Sequence, residues 1–202
     1  DYAYGPLRFP GLFQRTYPRY IRYSMPSRYV AGRSELVHDT IRANHKALGN
    51  KDLIPWLTAG TYGDMPPHKI EQMVLETLLN GAGGITYYKF DNFTDSPFDF
   101  YYQASALAML RPYEDLILDA TLLEQKGSNQ ELFYSGMQKG PELLLLVGNY
   151  LNAAEECEYE FPWDALHELK DLRSGESLSP ARKLRFQVPK GDFRLFYAKA
   201  AN

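Results

Sequence analysis

In the first half of the chain, apolar positions with helical spacing alternate with short apolar runs. The first helix is predicted to begin after Ser34, a residue suited to the N-cap. Its buried stripe is expected at Val37, Ile41, Asn44 and Leu48, which recur at spacings of four, three and four. Residues 53–57 then form an apolar run without polar alternation, as is typical of a strand buried on both faces.

The same cycle repeats further along the chain. Pro66 and Pro67 favour a second helix start, and Asn80-Gly81 favours its end. A second short strand is predicted over residues 84–88, followed by a helix over residues 100–110 that Pro112 ends. Strands that alternate with amphipathic helices predict βαβ units and a parallel sheet.

The number of these units is too small for a closed barrel. Two strands of this kind are clear, and residues 1–4 are a candidate for a third. A closed barrel needs eight strands and about 250 residues. The sequence therefore predicts either a small open sheet or a barrel whose remaining strands lie on another chain or segment.

After Tyr113 the pattern becomes that of an all-β domain. Residues 116–123, 132–134 and 142–150 are strand-like. Two alternating segments surround a turn at residues 189–192, which predicts an antiparallel hairpin with one buried face. That face is expected to carry Leu184, Phe186, Val188, Phe193 and Leu195.

Together these patterns predict a fold of the α/β plus all-β class with three regions. Residues 1–33 form an irregular segment, rich in Arg, Tyr and Pro, that packs on the barrel or on a partner. Residues 34–115 form the last β/α units of a barrel that is incomplete in this chain. Residues 116–202 form a small antiparallel β-sandwich.

Composition and charge narrow the function classes. The net charge of −3 argues against a nucleic-acid partner for the chain as a whole, and no apolar run is long enough to cross a membrane. Basic residues concentrate in residues 1–34 and acidic residues in residues 155–176, which are either complementary surfaces or two solvated faces. The four histidines lack zinc-site spacing and no phosphate-binding loop is present, so neither a metal nor a cofactor is predicted. Cys157 is the only cysteine and is interpreted as a free, semi-buried thiol.

Several segments resemble the C-terminal part of glycoside-hydrolase-type (β/α)8 barrels. Residues 52–63 are similar to the seventh strand and its loop, and residues 80–90 to the eighth strand. Residues 145–150, 171–176 and 191–196 are similar to strands and a turn of the β-sandwich that follows many of these barrels. The resemblance begins near residue 35 and implies a secreted, glycoside-hydrolase-like protein that acts on or binds carbohydrate.

The active site of such a barrel lies on the loops that follow the strands. Glycoside hydrolysis normally uses two carboxylates, and Asp91 and Asp64 are the candidates on these loops. Asp64 also suits a helix N-cap, and we favour that interpretation. For Asp91 we favour a structural role or a contact with a substrate hydroxyl over catalysis. Residues 53–63 contain no carboxylate, so the acid and the nucleophile either lie outside this chain or are lost.

Aromatic residues near the same strand ends are candidates for stacking on sugar rings. These residues are Trp56, Tyr62 and Tyr88, with Tyr87 as a further aromatic neighbour. The alternative, which strand alternation favours, is that Trp56 and one of the two adjacent tyrosines fill the barrel interior. Lys89 either binds a substrate hydroxyl or carboxylate, or forms an ion pair at the end of the barrel.

Asn92 begins an Asn-Phe-Thr triplet that matches the N-glycosylation acceptor pattern. A glycan there would crowd the barrel opening, so an occupied Asn92 favours a non-catalytic scaffold and an unmodified one favours a hydrolase. Two other functions compete with the glycoside-hydrolase-like one. The first is a structural or interaction protein that retains the scaffold, and the second is polyanion binding through the Arg/Tyr-rich start. In every case the incomplete barrel predicts another polypeptide segment or chain as partner.

Overall fold

The computed structural model describes residue 20 and residues 22–25, 27–28, 35–48, 52–58, 65–88, 97–124 and 132–201. It divides into two compact units, residues 1–106 and residues 107–202, with the division inside a helix. The domain boundaries expected from the sequence, after residues 33 and 115, stay predictions.

In the first unit, short parallel strands alternate with three helices. The strands are β1 (Tyr23–Ser24), β2 (Ser27–Arg28), β3 (Asp52–Leu53), β4 (Trp56–Thr58) and β5 (Thr86–Tyr88). The helices are α1 (Glu35–Leu48), α2 (Pro67–Leu78) and α3 (Pro97–Leu110). All four residues of the stripe predicted for α1 are buried, which confirms the helical pattern.

The strand predicted over residues 53–57 is present as two pieces of one parallel ladder. β1 pairs with β3 and β2 pairs with β4 in the same register, and β4 pairs with β5. The ladder is interrupted at Pro55, which has no N–H to donate. Residues 23–24 and 27–28, expected to be irregular, thus supply short paired strands on the two sides of Pro26.

The helices α1 and α2 cover one face of this ladder. Leu53 and Leu57 on the strands pack with Val37 and Ile41 of α1 and with Met73 of α2. We call this group the helix-side cluster. Burying these side chains at roughly 1.5–3 kcal/mol each is what holds the helices to such short strands.

A polar network joins the ends of α1 and α2. The Arg42 guanidinium donates to Asn80 Oδ1 at 2.6 Å, and Asn80 Nδ2 donates to the buried Glu76 carboxylate at 2.9 Å. Gly81 follows with φ of +104°, and a Cβ built on it would lie 2.5 Å from His45 Nδ1. The predicted end of this helix at Asn80-Gly81 therefore has a steric reason as well as a conformational one.

The start of α2 differs from the expectation. Its N-cap residue is Pro66, without a side-chain capping hydrogen bond, and Pro67 follows at the first helical position. The N-cap interpretation of Asp64 is therefore wrong. Proline's fixed φ suits this helix start, and no carboxylate is needed there.

The second unit contains the end of α3, a 3-10 turn (Arg111–Tyr113), α4 (Glu114–Leu118) and seven described strands. The strands are β6 (Thr121–Leu122), β7 (Leu132–Lys139), β8 (Glu142–Asn149), β9 (Glu155–Glu160), β10 (Leu166–Asp171), β11 (Lys183–Val188) and β12 (Phe193–Ala200). Antiparallel strands β10, β12, β8, β7 and β6 form one sheet in that order, and β11 and β9 form another. The strand expected over residues 116–123 is wrong in its first half, because Glu114 and Asp115 favour a helix start.

The predicted hairpin of residues 184–197 is also wrong. β11 pairs with β9, where Phe186 lies opposite Cys157, and β12 pairs with β8, where Phe196 lies opposite Leu145. The turn between them is real, since Asp192 N–H donates to Pro189 O at 3.2 Å, but it carries the chain from one sheet to the other.

The core between the two sheets is correspondingly different from the expected one. From β12 it contains Phe196 and Ala198, and from β11 it contains buried Val188 with half-buried Leu184 and Phe186 packed against it. Phe193 and Leu195 are buried on the opposite face of β12. This central strand is apolar on both faces, so alternation could not define its inner side.

Two residues of the sequence motifs organise loops of this unit. The Asn149 carboxamide is buried, accepts from Leu151 N–H at 2.9 Å and donates to three carbonyls at 2.8–3.2 Å. Those three acceptors are Ala153 O, Val188 O and Pro189 O. Asp171 accepts from the N–H groups of Arg173 and Ser174 in the turn that follows β10.

The acidic stretch of residues 155–176 has basic partners within its own unit. Glu158 pairs with Lys183 at 2.6 Å and with Arg185 at 2.8 Å across the β9–β11 ladder. Arg182 pairs with Glu160 at 2.9 Å. Two of the four glutamates on β9, Glu158 and Glu160, thus have basic partners nearby.

Candidate functional site

The carboxyl ends of β4 and β5 form the edge where the predicted site begins. Trp56 pairs with Thr86 and Thr58 pairs with Tyr88 in a parallel ladder, so both strands end at the same edge. Thr86 Oγ1 donates to Pro55 O at 3.0 Å and ties the two strands together beside that edge. Thr58 and Tyr88 therefore end their strands side by side.

Trp56 lies on the face of the sheet away from the helices. Its neighbour Leu57 is fully buried in the helix-side cluster, and successive strand residues point to opposite faces. Trp56 itself is half-buried. Trp56 is the first residue of β4, two positions before its carboxyl end. This face suits a sugar-stacking group and a side chain that fills the barrel interior alike, so both roles stay predictions.

Tyr87 lies on the other face. It pairs with Leu57 and packs against the helix-side cluster, and its ring meets Phe100 edge-on at 6.2 Å. Burial raises the pKa of the Tyr87 hydroxyl to about 12. Tyr87 therefore belongs to the packing between strand and helices and does not share a platform with Trp56.

The remaining predicted site residues lie outside the described part of the chain. These are the candidate carboxylates Asp91 and Asp64, with Tyr62, Lys89 and Asn92. The backbone of Tyr88 is described at the end of β5, but its side chain is not. The catalytic roles thus stay predictions.

Within the described residues, no group of three or more His, Cys, Asp or Glu side chains could hold a metal ion. No helix among these residues is both long and apolar enough to span a membrane. His38 is fully buried on α1, with Nδ1 3.2 Å from Asp39 Oδ1.

Buried amides on α2 and α3 were not anticipated from the sequence. Gln103 is 2% exposed, and neither its Oε1 nor its Nε2 has a hydrogen-bond partner among the described residues. Gln72 Nε2 and Tyr87 Oη are also buried without a partner. The only sequence signal for Gln103 is its position in a helix with a single charged residue, Asp99.

The second unit has a polar cluster around Tyr197. Its hydroxyl donates to Glu142 Oε1 at 2.5 Å, and Lys199 Nζ lies 3.3 Å from the same carboxylate. The hydrogen bond from Tyr197, followed by the nearby Lys199, lowers the pKa of Glu142. Burial and the same bond raise the pKa of Tyr197, whose ring lies 4.5 Å from that of Tyr113.

Cys157 is a buried, free thiol on β9. Burial raises its pKa, against a smaller opposite effect of the hydrogen bond with Tyr134. A thiol held protonated in the core between the sheets is a packing group and a poor nucleophile.

No protein-family model matches the sequence, and no curated protein matches it. Solved structures of glycoside hydrolases do match the fold. One is a GH27 β-L-arabinopyranosidase variant from Geobacillus stearothermophilus with bound arabinose, at a TM-score of 0.62 and 12% identity over 94% of this chain and 48% of that one. An α-amylase from Anoxybacillus matches at a TM-score of 0.58 and 10% identity, over 87% and 48%.

A GH30 endoxylanase from Clostridium papyrosolvens matches at a TM-score of 0.56 and 12% identity, over 96% of this chain and 53% of that one. This chain therefore spans about half the length of each of these enzymes. At such identities the likeness concerns the fold alone. The chain has an α/β fold of the glycoside-hydrolase type, which confirms the resemblance found in its sequence.

Proposed function

We propose that this chain is the C-terminal part of a glycoside-hydrolase-like protein that acts on or binds carbohydrate. The observation that carries the proposal is the succession of three β/α units and an antiparallel unit, matched over about half of several glycoside hydrolases. The three units correspond to the last part of a (β/α)8 barrel. The antiparallel unit corresponds to the β-sandwich that follows such barrels, and the single core shared by its two sheets supports this assignment.

The carbohydrate site lies at the carboxyl edge of β4 and β5. Trp56 stacks on the apolar face of a sugar ring, and Tyr62, Tyr88 and Lys89 line the same opening. The half-buried indole on the face away from the helices supports this placement. In a hydrolase, Asp91 or Asp64 would supply one carboxylate and a segment outside this chain the other, one protonating the leaving oxygen while the other acts as nucleophile or base.

A non-catalytic scaffold is the second candidate. The absence of any carboxylate from residues 53–63 favours it, because barrel hydrolases build their catalytic pair on strand ends. In a scaffold, Trp56 and the aromatic neighbours still bind sugar, but Asp91 and Asp64 have no catalytic role. Secretion is expected for both candidates, whereas a glycan on Asn92 is expected only for the scaffold.

The chain's two tryptophans allow a direct test of sugar binding. In a Trp163→Phe variant, Trp56 is the only fluorophore of its kind, and Trp163 lies in the other unit. We expect maltotriose or arabinose to shift or quench Trp56 emission in this variant. The matched Trp56→Phe variant, which retains Trp163, should show no response. Equal responses in both variants, or none in either, would contradict a site at Trp56.

Hydrolysis separates the two candidates. If the protein is a hydrolase, Asp91→Asn should lower kcat by at least about a hundredfold while Trp56 still responds to sugar. If it is a scaffold, the unsubstituted protein binds the sugar without turnover. Mass spectrometry of the peptide containing Asn92 gives an independent reading, since a hexose-bearing mass supports the scaffold.

A further inference from the structure

Asn80 and Gly81 form the only Asn-Gly pair in the chain. In such a pair the asparagine loses its side-chain amide more readily than before other residues, because glycine has no Cβ to keep its backbone nitrogen away from the preceding side chain. The pair lies at the end of α2, where Gly81 has φ of +104° and the His45 ring packs against it. The reactivity is a property of the sequence, so the surrounding structure decides when the reaction takes place.

The folded protein holds both reacting groups of this pair. The Asn80 side chain is fully buried, its Oδ1 accepts from Arg42 Nε at 2.6 Å, and its Nδ2 donates to Glu76 O at 2.7 Å and to Glu76 Oε2 at 2.9 Å. The Gly81 N–H, whose nitrogen would attack the carboxamide, donates to Leu78 O at 3.1 Å. The attack would break these hydrogen bonds at a fully buried site, so the fold suppresses the reaction.

The products of the reaction do not fit the same site. A carboxylate at position 80 has an oxygen in place of the Nδ2 donor, and this oxygen would face the Glu76 carboxylate at the distance that a hydrogen bond now spans. Arg42 would then lie beside two carboxylates instead of one, and a buried charge without a full set of partners is strongly destabilising. An isoaspartate, the other product, adds a main-chain carbon just before the turn that the positive φ of Gly81 shapes.

We propose that Asn80 is a modification site that reacts with water only when the ends of α1 and α2 separate, and that the reaction prevents their return. In the opened chain, hydroxide takes the proton of the Gly81 N–H, and the nitrogen attacks Asn80 Cγ. The new C–N bond forms as the Cγ–Nδ2 bond breaks, and ammonia leaves with a proton from water. Water then opens the cyclic imide to aspartate or isoaspartate. Each opening that lasts long enough for this chemistry is therefore recorded permanently at position 80.

Peptide mapping of the whole protein tests the dependence on opening. The protein is kept at mildly alkaline pH with and without urea, and conversion of the amide to the acid is followed by mass spectrometry in the tryptic peptide of residues 70–89. We expect conversion at Asn80 to be at least about tenfold faster in urea. Asn152, which is exposed and precedes Ala153, is the internal control and should convert slowly in both conditions. A native rate at Asn80 as high as the rate in urea, or no conversion in urea, would overturn the proposal.

A variant that mimics the product tests whether the modified chain can return to the fold. In a Trp163→Phe background, where Trp56 emission reports urea unfolding, Asn80→Asp should raise the unfolding equilibrium constant at least about tenfold. Asn152→Asp makes the same chemical change at an exposed position and should alter this constant less than about threefold. Equal stability of the two variants would overturn the proposal that the modification prevents return.

Glu76→Gln identifies the cause of this loss, because it removes the second carboxylate and supplies an amide donor in its place. Glu76→Gln should therefore raise the unfolding equilibrium constant at least about threefold less in Asn80→Asp than in the unsubstituted protein. If Asn80→Asp alone leaves no folded protein, the same coupling predicts that the double variant regains a cooperative urea transition. Additive effects, or a double variant without a transition, would overturn the assignment of Glu76 as the group that excludes the product.

Discussion

The core between the two sheets makes a sharp prediction at Phe196. Its side chain is 2% exposed, and its ring meets that of Phe186 at a centroid distance of 4.8 Å and an angle of 67°. Phe196→Ala removes a fully enclosed ring from a central strand, so we expect a loss of about 3–5 kcal/mol in the free energy of unfolding. Phe186 is only half-buried, so Phe186→Ala should cost about half as much.

The ring contact itself can be isolated with a double-mutant cycle. An edge-to-face pair contributes about 0.5–1.5 kcal/mol beyond area burial, so the double variant should be less destabilised than the sum of the two by that amount. Arg185→Ala, on the exposed side of the same strand as Phe186, is the control and should stay within about 0.5 kcal/mol.

Urea unfolding in a Trp56→Phe background measures these changes. Trp163 then reports on its own unit, where it packs against the core between the sheets. A loss below about 1 kcal/mol for Phe196→Ala, or a larger loss for Phe186→Ala than for Phe196→Ala, would refute the assignment of the inner face of β12.

Three further predictions concern single residues. Asn149→Ala should lower the stability of the second unit by about 2–4 kcal/mol in urea unfolding, because several loop groups lose their partner at once; a loss below about 1 kcal/mol would contradict this role of the Asn149 side chain. Gly81→Ala should cost at least about 1–2 kcal/mol more than Gly140→Ala, since Gly81 combines positive φ with a steric clash while Gly140, at φ of +55°, has open space; equal midpoints would contradict this. The bond from Tyr197 lowers the pKa of Glu142, so its stabilisation is present above the ordinary carboxyl value of 4.5 and is lost as pH falls through the lowered value. The stability gap between the unsubstituted protein and Tyr197→Phe should therefore narrow in acid, and a gap independent of pH would exclude the linkage.

The sequence predicted the positions of helices and strands better than it predicted which strands pair with each other. The stripe of α1 and the strand over residues 53–57 follow from local spacing and burial, which single segments encode. The partner of β11 does not, because alternation along a strand specifies an inner face and leaves open which strand lies beside it. A turn such as residues 189–192 serves a hairpin or a crossing between sheets equally well.

The candidate site was likewise predictable from the sequence only in part. Strand parity placed Trp56 and Leu57 on opposite faces, and packing of Leu57 against the helices then identifies the face of each. The unpaired amide of Gln103 had no counterpart in the pattern, because a polar residue on an inner stripe is visible only once burial is known. The roles of Asp91 and Asp64 stay predictions, because both residues lie outside the described part of the chain.

The position of β12 in its sheet has a consequence for synthesis. It is the last strand in sequence, yet it lies between β8 and β10 in the five-stranded sheet. During synthesis β7 and β8 therefore leave the ribosome well before β12. Until β12 is made, the edge of β8 that pairs with it is open to other chains. Any product truncated before Phe193 lacks the link between the two sides of this sheet. Such a product leaves Leu143–Val147 of β8 uncovered on the side that β12 normally pairs with. We therefore expect chains that lack β12 to aggregate or to be degraded.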